Sequence, residues 1–153
     1  MKAIFLDLKT IFFDTHSPEK IRESIISLEY LIDNINNAWI VICNKSPLDL
    51  DQIRELFKTN KFKYSHRIFD QIKTTSKMRS SIIAKWLREY AEVNEVNAFG
   101  IISCEHIDGL LENYAIITET LDITRADQIL KNFKQREYEI KRIWEVIDVK
   151  NRH

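Results

Sequence analysis

Residues 2–13, KAIFLDLKTIFF, place two apolar runs around one polar knot, Asp7-Leu8-Lys9-Thr10. The first run reads as a short buried strand, and TIFF either extends it or begins the loop beyond. An aspartate closing a buried strand is costly unless it binds or reacts with something. Lys9, two residues later, is an unusual companion for either task. Working outward, AWIVIC at 38–43 is a continuous β-branched run of the kind covered on both faces of a sheet. NAFGIIS (97–103) and YAIIT (114–118) read as further strands, and SHRIF (65–69) as a short one in an irregular basic stretch, 58–78.

Helical periodicity fills the intervals. After Ser17, a candidate N-cap with Pro18 at the first helical position, Ile21, Ile25, Leu28 and Leu31 recur at three- and four-residue spacing. This predicts a helix over about 18–35. A second begins at Ser46 or Asp49 and turns Ile53, Leu56 and Phe57 inward. A third carries Ile82, Ile83, Trp86, Leu87 and Tyr90 in one stripe, and a long C-terminal helix starts near Thr124. That last helix points Ile129, Phe133, Ile140, Trp144 and Ile147 inward. Strand–helix alternation with continuous apolar strands predicts an α/β domain with a mainly parallel sheet between two helical layers. In such sheets the site lies at the carboxyl ends of the strands. That rule nominates the tips Asp7–Thr10, Cys43–Ser46, Ser103–Asp108 and Thr118–Thr120.

The 153 residues suit a single domain with a hydrophobic core; 44% are hydrophobic and 30% charged. The formal net charge is zero, so no global basic field recruits nucleic acid. No apolar stretch reaches membrane-span length, and the N-terminus lacks a signal-peptide core, which predicts no membrane association. Cys43 and Cys104 lie in or beside strand-like runs, which suits a reducing cytoplasm better than a disulfide framework. With two glycines in the chain, phosphate-cradling and dinucleotide fingerprints are absent, as are HExxH, CxxC and GxSxG.

AIFLDLKTIFFD resembles the first motif of haloacid dehalogenase-like (HAD) phosphohydrolases, a strand ending in Asp-x-Asp. The subgroup it looks most like is the small HAD domain associated with RNA-repair proteins. That subgroup carries IVxSSSWR after its second strand, RGxEIxxWL opening a helix, a strand ending in paired aspartates, and a late GLT. This chain offers WIVICNKSP, RSSIIAKWL, FGIISCEHID and LDIT in the same order, over residues 2–133. The resemblance implies a HAD-like, Rossmann-like three-layer sandwich with the site at the strand tips. It places Asp7 at the nucleophile position and Lys9 where the general acid/base aspartate stands. The phosphate-binding position falls at Cys43 or Asn44, with Ser46 close by. The cation of the third motif is matched by Arg79, with Lys77 as competitor. The metal-holding pair falls on Ser103 and Cys104, with Glu105 and Asp108 just beyond.

Phosphoryl transfer to an aspartate needs magnesium, a hard cation that takes carboxylate oxygens. Here Asp7 is the only carboxylate left in register. An ammonium about 4 Å from another unit cation position costs roughly 4 kcal/mol at an effective dielectric near 20, so Lys9 opposes a metal and could neutralise Asp7 itself. These substitutions predict a catalytically degenerate pseudo-phosphatase without cofactor, serving as a regulatory or binding module for a protein or a phosphate-like anion. Asn44, Ser46 and Arg79 are its candidate anion contacts. The alternative is a magnesium-dependent phosphohydrolase using Asp7, with Glu105 or Asp108 completing the metal site. A third reading is an RNA-associated accessory protein, from the subgroup and from the basic, aromatic run KTNKFKYSHR (58–67). Cys104 and His106 share a strand face if β structure continues past 103. Trp86 and Trp144 belong to the core by their helical stripes.

Overall fold

The N-terminal run forms the central strand, β1 (Lys2–Asp7), with four of its six residues buried. It is part of a computed structural model that describes residues 1–136 except 14, 46, 75–79, 95, 108 and 110, and only the backbone of 91–94 and 134–136. The chain continues through α1 (Pro18–Asn34), β2 (Ala38–Asn44), α2 (Leu50–Thr59), β3 (Ile68–Lys73) and α3 (Ser80–Asn94). Then come β4 (Ala98–Ser103), β5 (Ala115–Ile117) and α4 (Ile123–Arg136). The five strands make one sheet in the order β3-β2-β1-β4-β5, and every pairing is parallel. The fold is therefore an α/β, Rossmann-like three-layer sandwich.

Alternation along the strands explains why both faces are apolar. Ile4, Leu6, Ile40, Ile42 and Ile102 point to the layer of α1, α2 and α4, packing on Leu28, Phe57 and Ile129. Ala3, Phe5, Val41, Cys43 and Ile101 point the other way, to Ile83, Trp86 and Leu87 of α3. Gly100 of β4 permits the close approach of α4, because a Cβ there would lie 2.8 Å from the Phe133 ring. Ser17 caps α1 by accepting the Lys20 N–H, with Pro18 at its start. Asp49, not Ser46, caps α2, through a capping box with Gln52.

The strand expected over 65–69 begins later. Ser65–Arg67 form a 3₁₀ turn, and β3 runs from Ile68 to Lys73. A register shift pairs Ile40 with Ile68 but Val41 with Asp70, so Phe69 is the extra residue of a bulge. The half-polar run FDQIK is what an edge strand carries, and it lacks the continuous apolar signal of the inner strands. The long C-terminal helix starts at Ile123, as expected; Ile140, Ile143, Trp144 and Ile147 lie outside the described residues. Among the described residues no helix is long and apolar enough to cross a membrane.

Candidate functional site

The strand order reverses between β1 and β4, so the crevice outside their carboxyl ends is the switch point at which such sheets bind ligands. Asp7 ends β1 at this point. The chain turns there into a 3₁₀ segment, Leu8–Thr10, which Asp7 caps: Oδ1 accepts the Lys9 main-chain N–H at 3.1 Å. The buried Thr10 hydroxyl donates back to the Asp7 carbonyl at 2.8 Å. Leu6 pairs with Ile102, which brings the residues just past β4 alongside Asp7. Its second oxygen, Oδ2, lies 3.0 Å from the Cys104 Sγ and 3.3 Å from the Cys104 main-chain nitrogen, accepting from both. Both carboxylate oxygens are thus held by donors of the protein.

A cysteine stands on each side of this carboxylate. Cys43 pairs with Asp7 across the β1–β2 ladder and is buried; burial, then the Asp7 charge, pushes its thiol far up. The Cys104 thiol is pushed up to about 12 by burial, then by the hydrogen bond to Asp7 and the charges of Asp7 and Glu105, with Lys9 opposing. Both cysteines are free. Cys43 lies on β2 and Cys104 just past the end of β4, with β1 between them, and two strand spacings of about 4.8 Å exceed the reach of a disulfide.

The other expected site residues divide. Lys9 contacts Asp7 through its main-chain N–H, while its ammonium lies 5.9 Å from the centre of the Phe13 ring. Asn44 is buried; its Oδ1 accepts from Gln71 Nε2 at 2.9 Å and its carbonyl from the Thr74 N–H, locking the edge strand in place. Ser103 closes on its own turn, donating to the Glu105 carbonyl at 2.7 Å and accepting the Glu105 N–H at 3.1 Å. Glu105 is half-buried beside Cys104. Because β4 stops at Ser103, Cys104 and His106 share no strand face; His106 lies 4.0 Å from the Glu112 carboxylate instead. Ser46, Lys77, Arg79 and Asp108 lie outside the described residues. In the basic run, Arg67 stacks on Trp39, while Lys63 pairs with Asp33 and lies over Tyr64, whose hydroxyl donates to Asp33. Trp86 is buried in the core.

One further group completes the tip and was not singled out in the sequence. His16 touches the Ile11 carbonyl through Nδ1 (3.2 Å) and the Thr120 hydroxyl through Nε2 (3.1 Å). With the Leu121 N–H donating to the Thr10 carbonyl, it ties the segment after β1 to the β5–α4 connection. The strand-tip rule did nominate Thr118–Thr120; nothing in the local sequence pointed to His16.

The donor set around Asp7 does not fit magnesium. Beside it stand Lys9, Ser103 and Cys104, none of them a carboxylate, whereas magnesium takes hard oxygen ligands and a thiol is a soft donor. Among the described residues no three His, Cys, Asp or Glu side chains are grouped to hold a metal ion. No family model, curated protein or solved structure matches the chain.

Proposed function

We propose that this chain is a catalytically silent HAD-like scaffold that works as a binding or regulatory module for a protein or a phosphate-like anion. The observation that carries this reading is the state of Asp7. A nucleophilic carboxylate must offer an oxygen to its substrate, whereas here Oδ1 caps a 3₁₀ turn and Oδ2 accepts from Cys104. The order of the strands and the position of Asp7 at the switch point support the family resemblance. The replacement of the expected carboxylates by Lys9, Ser103 and Cys104 supports the loss of the reaction.

The test is an assay of p-nitrophenyl phosphate hydrolysis with and without magnesium, on the wild type and Asp7→Asn. We expect no magnesium-dependent turnover above the variant's background, and no rise in melting temperature on adding magnesium. Turnover that requires magnesium and disappears in Asp7→Asn would sink this reading and favour a phosphohydrolase with Asp7 as nucleophile.

A further inference from the structure

The outer flank of α1 carries an apolar feature that a single chain leaves unused. Glu19, Arg22, Glu23 and Ile26 recur at three- and four-residue spacing, so they form one ridge, and all four are exposed. Ile26 is 45% exposed, and apart from Pro18 every other exposed residue of α1 is polar. A β-branched side chain at an exposed helix position lowers helix propensity and buries little apolar surface, so Ile26 contributes little to the isolated fold.

Two long-range bonds fix what lies beside this ridge. The Ser24 hydroxyl donates to the Leu121 carbonyl at 2.9 Å, and the Tyr30 hydroxyl to Asp127 at 2.7 Å. Both links join residues 97 apart in the chain, so α1 and α4 run parallel, and Ile123, the first residue of α4, stands level with Ile26. Ile123 is 42% exposed. α1 therefore extends past the start of α4, and its first turns wall an open groove of about 520 Å³. The groove is lined by Pro18, Glu19, Arg22, Glu23, Ile26 and Ile123. Among the described residues Glu19, Arg22 and Glu23 form no ion pair.

We propose that a second copy of the chain fills this groove, with the two α1 helices packed antiparallel about a twofold axis between Arg22 and Glu23. Such an axis sets Arg22 against Glu23 of the second copy, and the reverse, so the contact is self-complementary. It also lays Ile26 and Ile123 over Pro18 and the Glu19 methylenes of the second copy, so every lining residue gains a contact. The charges select this register. An axis at Ile26 would oppose Glu23 to Glu29 and Glu19 to Asp33, and a parallel pairing would set each charge against itself. A contact one helix wide sits at the low end of interface sizes, so the dimer is weak. This inference is independent of whether Asp7 retains any chemistry.

The test is analytical ultracentrifugation of the full chain. We expect a monomer–dimer equilibrium with a dissociation constant between about 10 μM and 1 mM, as suits a small interface. Arg22→Glu and Glu23→Arg should each weaken dimerisation about tenfold or more, because each sets like charges together twice. The double variant Arg22→Glu/Glu23→Arg should restore the dimer. Mixing the two single variants should restore it as well, since each then meets opposite charges on the other. Ile26→Asp should leave a folded monomer. A wild-type chain that stays monomeric at about 1 mM overturns the proposal. So does a dimer untouched by Ile26→Asp, or a loss in the single charge reversals that neither the double variant nor the mixture rescues.

Discussion

Replacing Asp7 with asparagine removes one acceptor at the point where β1 and β4 part. The asparagine carbonyl still accepts from the Lys9 N–H, so the cap of the 3₁₀ turn survives. The amide NH2 group then faces the Cys104 main-chain nitrogen, 3.3 Å from the former Oδ2, and the Cys104 sulfur at 3.0 Å. The thiol can rotate and accept weakly, but the main-chain N–H loses its partner. A hydrogen bond to a charged acceptor contributes about 1.5–3 kcal/mol, and the long N···O distance and partial exposure place this loss at about 1–2 kcal/mol. At about 2–4 °C per kcal/mol for a chain of this size, the melting temperature should fall by about 2–8 °C. Urea unfolding should show a lower midpoint at an unchanged slope. Cys104→Ala removes the thiol and keeps the N–H, so the double-mutant cycle with Asp7→Asn should give a coupling of at least about 0.5 kcal/mol. An Asp7→Asn protein as stable as the wild type, or more stable, would refute the reasoning. That is how a carboxylate kept for function at a cost in stability behaves.

Four further outcomes follow from contacts already described. Iodoacetamide should modify native Cys104 slowly at pH 8 and leave buried Cys43 untouched, and Asp7→Asn should speed the reaction about tenfold for each unit by which the thiol pKa falls. Because the folded Cys104 thiol lies near 12, above about 8.5 for a free thiol, its contribution to stability is full below the lower value and lost as pH rises through the higher; alkaline unfolding should shift upward in Cys104→Ala, and no shift would refute this. Gly100→Ala pushes a methyl to within 2.8 Å of the Phe133 ring and should cost about 1–3 kcal/mol in chemical denaturation, partly restored by Phe133→Leu. Trp86→Phe keeps ring contacts with Phe5 and Phe69 but deletes the donor to Asp70, and should lower stability by about 1–2 kcal/mol; a neutral result would show that the Asp70 bond carries nothing.

The inner strands were legible because burial on both faces leaves an unbroken apolar run that no other element of this length needs. β1, β2 and β4 each sit between two strands and two helical layers, and their runs KAIFL, AWIVIC and AFGIIS say so. β3 was displaced for the complementary reason. As an edge strand with a bulge at Phe69 it carries Asp70, Gln71 and Lys73, and the alternating pattern hides its start. The caps of α1 and α2 were readable from Ser17-Pro18 and from Asp49, since a cap is a local device. His16 was not, because its partner Thr120 is 104 residues away and no periodicity encodes such a contact.

At the tip of β1, the sequence pointed to residues that do lie together but misjudged how they interact. Asp7, Lys9 and Cys104 do converge, yet the expected charge pairing of Lys9 with Asp7 gives way to a main-chain hydrogen bond that almost any residue at position 9 could supply. On the proposed HAD-like reading, the identity of residue 9 therefore matters for what it removes, a second carboxylate, more than for what it adds. Glycine use points in the same direction. Backbone amides can cradle a phosphate only where the chain approaches it closely, which favours glycine. The chain has two. Gly100 is taken up by the Phe133 contact within the sheet, and Gly109, at φ +108°, turns the segment after β4 against Ser80. Neither is available at the tip of β1, where the hydrogen-bonding capacity that remains is already directed at Asp7.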